Sequence, residues 1–322
     1  MLRPMKMTAL VIVLLTRVLL SGVLLSGSVQ AEEKVDLQFK FTEDLKSTAV
    51  IHINLEQTLT LAGMELDSGT DQTSTITTTN GKRDRDGNLQ TESAMDAFVV
   101  QVKMPMGLQL SFDSANPDAP RPGTPVDALI DLFQAMSDSN WTTLYDQSNR
   151  VTKVVGRDAS FTNLPAEIRA SIAKQFEPEY LQQTENDLLE RVPRTSLVKG
   201  ETWERMETVR LDSTQTMTFT TVYRYEGVVD HEGTPRDKIS SKTTKVTLAV
   251  AEGAPVKIIN SELNVESSEG SFYFDRQIGQ IVDDREKIHI LGELRLEING
   301  MEFPGKLDLT MEESVQRRFP KK

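Results

Sequence analysis

The sequence predicts an α+β protein, mainly antiparallel β, in two similar β-rich halves whose long curved strands are joined and partly covered by a few helices. Three observations carry that prediction. Apolar residues recur at every second position over unusually long runs. Between two such regions lies a stretch of helical periodicity punctuated by proline. An aromatic residue and an aspartate precede a short polar turn twice, in Leu144 to Gly156 and in Tyr273 to Asp284, each followed by renewed alternation.

The chain has 322 residues and begins with Arg3 and Lys6 before an apolar run from Leu10 to Leu25 that ends in small residues up to Ala31. This is the pattern of an export signal, with cleavage between Ala31 and Glu32. Arg17 interrupts the run, which makes it a poor bilayer span, and no other stretch approaches spanning length. Residues 1–31 are therefore read as a signal peptide, with no transmembrane segment after cleavage and a periplasmic, cell-envelope or extracellular location. There is no cysteine, so neither a disulfide framework nor a thiolate metal site is available.

The mature chain has two β-rich regions, 32–156 and 196–316, separated by a helical connector at 157–195 and followed by a basic tail at 317–322. In the first, Ile51, Ile53, Leu55, Leu59 and Leu61 share one strand face while His52, Asn54, Glu56, Thr58 and Thr60 take the other. Phe39 to Leu45 is read as a strand leading into it. Asp84 to Asn88 is a turn in which Gly87 and Asn88 tolerate positive φ. A further strand is expected from Ala97 to Leu110, with Pro105 marking an edge or bulge. A proline-rich connection from Ser114 to Pro125 leads to a helix over about 125–137, capped by Thr124, whose apolar face is Val126, Leu129, Ile130, Phe133 and Met136. Two more helical segments follow, one after Asn163 and one from Tyr180 to Val192, with Pro178 between them.

The second region starts with a short strand from Leu197 to Trp203. Met217, Phe219, Tyr223 and Tyr225 then fall in phase, as do Val246, Leu248 and Val250. Its clearest strand is Lys287 to Ile298, with Ile288, Ile290, Leu294, Leu296 and Ile298 facing one way.

The formal net charge is −12, and −15 once the three basic residues of the signal are removed. That balance argues against nucleic acid and anionic headgroups as main partners. No catalytic, cofactor or metal residues are assigned. The three histidines, His52, His231 and His289, do not form a zinc spacing. Asp84, Asp86 and Asn88 lack the glycine register of a calcium loop. There is no GxSxG elbow and no glycine-rich phosphate loop. Glu201, Glu204 and Glu207 near Trp203 form the densest carboxylate group and are read as a solvated strand end. Met95, Met104, Met106 and Met136 are read as core.

Leu37 to Phe41, the turn Arg85 to Asn88, Leu144 to Val151, and above all Leu197-Val198-Lys199-Gly200-Glu201-Thr202-Trp203 resemble a family of secreted bacterial proteins, met in planctomycetes and Bacteroidetes and classed as a domain of unknown function. The resemblance spans nearly the whole mature chain. It implies export, a bacterial source and a β-rich fold, and brings no activity or catalytic residues. The expected function is that of a non-catalytic envelope or extracellular protein acting by surface interaction, not an enzyme. Two alternatives stand beside it: a carrier holding an apolar ligand between a curved sheet and the helix over 126–136, and a hydrolase using a carboxylate site at Glu201, Glu204 and Glu207. The partner is a protein or an apolar small molecule, and no cofactor is expected.

Overall fold

The computed structural model describes residues 34–320 except 118–122, 124–126, 158, 212–213, 252–255 and 299. The signal cleavage at Ala31 and Glu32 and the helix cap at Thr124 lie outside these residues. Of the described residues strand takes 61% and helix 14%, the strands forming one open antiparallel sheet of 12. Its order is β6 (Val151–Val155), β5 (Asn140–Tyr145), β3 (Leu89–Lys103), β2 (Met64–Asn80), β1 (Lys46–Leu61), β12 (Met301–Arg318), β11 (Gln280–Ile298), β10 (Val256–Asp275), β9 (Thr234–Val250), β8 (Gln215–His231) and β7 (Thr202–Arg210). The short β4 (Gln109–Asp113) pairs with β3 beside this path. The two β-rich regions of the sequence thus share one sheet, joined where β1 pairs with β12 from Thr48↔Arg318 to Leu61↔Gly305.

Most of these strands run 15 to 20 residues, about three times the usual length, because alternation resumes after each irregularity. Irregularities bend them. Register shifts lie at Thr220/Thr221, Tyr225/Gly227, Ile258/Asn260 and Val265/Ser267, and each such bulge adds twist and curvature. Between β9 and β10 the ladder covers only Asp237–Ser241 against Gly270–Phe274. Beyond it the strands separate, and the Thr243 N–H donates to Ser268 Oγ at 2.9 Å in place of a ladder bond. The divergence lets Met217, Phe219 and Val246 pack across onto Ile288, Ile290 and Leu309, forming the largest core cluster.

The repeated aspartate turn closes a hairpin in both places. Asp146 Oδ1 accepts from the Ser148 and Arg150 N–H groups between β5 and β6, with Asn149 at φ 60°. Asp275 Oδ1 accepts from the Gln277 and Ile278 N–H groups between β10 and β11, with Gly279 at φ 72°. The device is the same but its place differs, at the sheet edge in one case and in the interior in the other.

Several expectations need correcting. Phe39 to Leu45 and Leu197 to Trp203 are not leading strands; the first is irregular, and the second contributes a single bridge, Val35↔Leu197, before β7 begins at Thr202. The chain there is tied by a side chain and a turn instead, with Asn149 Nδ2 donating to the Phe39 C=O and the Lys40 N–H to the Gly279 C=O. The strand expected from Ala97 to Leu110 breaks at Pro105, which starts a 3-10 turn and puts Met106 at φ 69°. Arg317 and Arg318 end β12 and do not belong to a solvated tail.

Three helices are described: α1 (Asp127–Ser137), α2 (Ala166–Ile172) and α3 (Pro178–Leu189). α1 lies on the inner face of β3 and β4, where Phe98, Phe112 and Phe133 stand 6.0–6.2 Å apart. α3 bridges the two edges of the sheet. On β6, Asn186 accepts from the Val151 N–H at 3.0 Å and donates to its C=O at 2.9 Å, as a neighbouring strand would. On β7, the Arg210 N–H donates to Tyr180 Oη at 2.9 Å, and Arg205 pairs with Glu190 at 2.8 Å. Both edges that would otherwise invite a foreign strand are therefore engaged by one helix.

Asn186→Leu is expected to cost about 1–3 kcal/mol, since it orphans the buried Val151 N–H while Gln182 still reaches the C=O at 3.0 Å. Asn186→Asp, which keeps the acceptor, should cost less. Urea midpoints of the two variants equal to that of the parent would remove this account of the edge.

Candidate functional site

Alternation divides the sheet into two faces with different chemistry. On the inner face of β12 the residues from the hairpin end inward are Phe303, Gly305, Leu307, Leu309 and Met311, then Glu313, Val315 and Arg317. The face is apolar at one end and ionised at the other.

The ionised end is organised around Arg191, just past α3 and 3% exposed. Its guanidinium donates to both oxygens of Asp284 on β11 at 2.5 and 3.2 Å and to Tyr223 Oη on β8 at 2.8 Å. It also lies 5.0 Å from the Phe272 ring centre. Burial opposes its charge, but the Asp284 carboxylate, with Glu207 and Glu286 adding to it, raises its pKa above the usual arginine value. Glu313 stands directly opposite Glu286 in the β11–β12 register. Its Oε2 is enclosed without a hydrogen-bond partner among the described residues. Desolvation, with the Asp284 charge adding to it, pushes its pKa up to about 8. Further along the same face, Arg317 is held below the ordinary arginine value by burial.

At the other end Leu294, Leu296 and Leu307 are buried, and the residues around them are only partly covered. Leu59, Leu61, Ile258 and Leu263 are half-exposed there while packing against the main core, and Leu66 and Phe303 are half-exposed beside them. The adjoining tips carry exposed apolar residues: Met64 is 62% exposed beside Gly63, Met301 is 60% exposed beside Gly300, and Met106 is 92% exposed beside Gly107. Leu108 joins them on the β3–β4 turn. Exposed apolar side chains gathered at one place mark a contact surface more often than ones scattered singly.

The outer face is polar. A groove of about 1340 Å³ crosses it from His52 on β1 to Thr202 on β7.

The carboxylates of the hydrolase reading do not converge. Glu201 accepts from the Val198 N–H at 2.9 Å, Glu204 is exposed on one face of β7, and Glu207 is buried on the other. The space between α1 and the sheet is filled by the phenylalanine cluster, with Met104 buried and Met95 and Met136 packed against it. The Asp84 turn uses its oxygens internally: the carboxylate accepts from the Asp86 and Asn88 N–H groups and from Asn88 Nδ2. His52 and His289 sit beside Asp71 and Asp308 on the outer face.

His231, at the end of β8, meets Glu232 and Asp283 with ligand atoms within 4.8 Å of one another. It stacks on Tyr273 at 3.7 Å. The Asp283 carboxylate is already shared with Arg285 at 3.2 and 3.3 Å, so the group reads as an ion-pair network. Sequence reasoning missed Arg191 and Glu313. The one available signal was a charged residue in phase with apolar ones, as Glu313 is with Leu309 and Met311.

No protein-family model matches the chain, and no curated protein matches it. Among solved structures it is similar to lipovitellin, from a study of its lipid–protein interactions, at 10% identity and a TM-score of 0.38. That match covers 88% of this chain but 26% of lipovitellin, so the chain spans about a quarter of that protein's length. OpdQ of Pseudomonas aeruginosa matches at 6% identity and a TM-score of 0.21, over 86% of this chain and 99% of that one. A DUF1329 family protein from Desulfovibrio piger matches at 9% identity and 0.11, over 84% and 85%. At such scores these likenesses bear on neither fold nor function.

Proposed function

We propose that this chain is an exported, non-catalytic binding protein of a bacterial envelope or extracellular space, and that it takes up an apolar molecule at the open hairpin end of its inner face. The observation that supports the reading is the partly exposed apolar rim at this end, Leu59, Leu61, Leu66 and Phe303, with Met64, Met106 and Met301 exposed on the neighbouring turns. A face meant only to be core would be covered, as it is over Phe219 and Ile290. The reading puts the ligand at this end and not under α1, where aromatic side chains occupy the volume. Methionine suits the rim because its flexible thioether adapts to irregular apolar shapes.

The test is titration of the mature protein with a pyrene-labelled long-chain fatty acid. Saturable binding near one to one is expected. The double variant Leu61→Asp and Phe303→Asp should lose at least tenfold, because each apolar side chain returned to water forfeits roughly 1.5 kcal/mol or more. Non-saturable uptake, or equal affinity in the variant, would overturn the proposal.

A further inference from the structure

The strand registers align one row of residues straight across the outer face. His52 on β1 faces Ser314 on β12, and Ser314 faces Arg285 on β11. Arg285 faces Ser271 on β10, Ser271 faces Ser240 on β9, Ser240 faces Arg224 on β8, and Arg224 faces Thr202 on β7. Every member is basic or carries a hydroxyl, and none is a carboxylate. The seven strands, about 4.8 Å apart, make the row roughly 29 Å long. It forms the floor of the outer groove, whose 1340 Å³ exceeds the roughly 300–1,000 Å³ of a compact small-molecule pocket and suits an extended ligand.

The charges around the row are unevenly committed. Glu312 is held by Lys287, Glu226 accepts from Ser240 Oγ at 2.6 Å, and Arg285 leans on Asp283. His52 lies 3.3 Å from Asp71. Glu269 also lines the groove. Among the described residues of the groove Arg224, Lys242 and Lys238 have no ion-pair partner, Lys238 lying over the Tyr273 ring, although the chain carries a net charge of −12. Arg224 and Lys242 are exposed, and as diagonal neighbours on adjacent strands they stand within reach of one ligand. A cationic pair left open on an acidic protein, set in a line of serine and threonine, calls for a partner with both anionic groups and hydroxyls.

We infer that the outer groove is a binding site for an acidic polysaccharide lying across the strands, with Arg224 and Lys242 taking its anionic groups and Ser240, Ser271, Ser314 and Thr202 its hydroxyls. A single-stranded nucleic acid is the poorer fit. Its bases bind through stacking on aromatic rings, and the row has none. The site is separate from the apolar mouth, which lies on the opposite face, so either can stand without the other.

The test is binding of the mature protein to fluorescein-labelled polygalacturonate and dextran sulfate at low salt, with neutral dextran and a thymidine oligonucleotide for comparison. Saturable binding to at least one of the acidic polysaccharides, absent for neutral dextran and weakened by added salt, is expected. Arg224→Ala with Lys242→Ala should lower affinity about tenfold or more, while Lys82→Ala, a remote exposed lysine, should leave it unchanged. Circular dichroism of the double variant matching the parent excludes unfolding as the cause. Equal binding of neutral dextran, equal binding by the double variant, or tighter binding of the oligonucleotide would each overturn the inference.

Discussion

Arg191→Ala is expected to destabilise the protein by about 3–5 kcal/mol, the usual cost of removing one partner from a buried ion pair. The loss has three parts. Asp284 is left as an uncompensated carboxylate, Tyr223 Oη loses its 2.8 Å partner, and the Phe272 ring loses the cation beside it. Against a total stability of roughly 5–15 kcal/mol, a loss of that size removes between a fifth and all of the margin. Urea denaturation followed by tryptophan fluorescence checks it directly, because Trp203 Nε1 donates to the Arg191 C=O at 3.1 Å. The double variant Arg191→Met with Asp284→Leu should recover much of the loss, since it removes both charges together. A single-variant loss below about 1 kcal/mol would show that the pair does not hold the inner face together.

The second large effect is on pH dependence. Glu313 has a folded-state pKa of about 8, whereas a free glutamate titrates near 4.3. Between those values the folded state keeps a proton that the unfolded state has lost, so the unfolded state binds fewer protons and stability falls as pH rises through this window. Above pH 8 the contribution is flat. Glu313→Gln mimics the protonated form and should raise stability at pH 7 by about 2 kcal/mol, a figure reduced from the full linkage value because the residue is only half-buried. It should leave stability at pH 4 unchanged and flatten the decline between pH 5 and 8. Parallel stability curves for parent and variant across that range would refute it.

Much of the fold was readable because periodicity is local. The faces of Ile51 to Leu61 and Ile288 to Ile298 required only their own residues, and both aspartate turns announced their hairpins. The helix near 125–137 and the break at Pro178 followed from proline placement. The order of strands was not readable, since nothing in β1 says that it pairs with β12. The same limit hid the outer row. Its seven members come from seven strands, and their alignment exists only once six registers are set. Arg191 was hidden differently, because a lone arginine at the end of a helix carries no mark of burial. Leading strands at Phe39 and Leu197 were expected from the similar order of features in the two β-rich regions. Their apolar residues instead cover one end of the inner face, where Leu37 and Leu197 are buried against Phe272 and Phe274.

The pairing of β1 with β12 also bears on how such a molecule can be made. Thr48 and Arg318 are partners about 270 residues apart in the chain, so the middle of the sheet is the last place that can form. A chain that emerges from its amino end can pair β1 with β2 at once, but the other edge of β1 stays bare until β12 arrives. Contacts of such long range make folding slow and leave strand edges bare meanwhile. Clipping before Met301 would strand both β1 and β11 as long open edges at the centre of the sheet, so a truncated product should aggregate and not persist as a smaller soluble form.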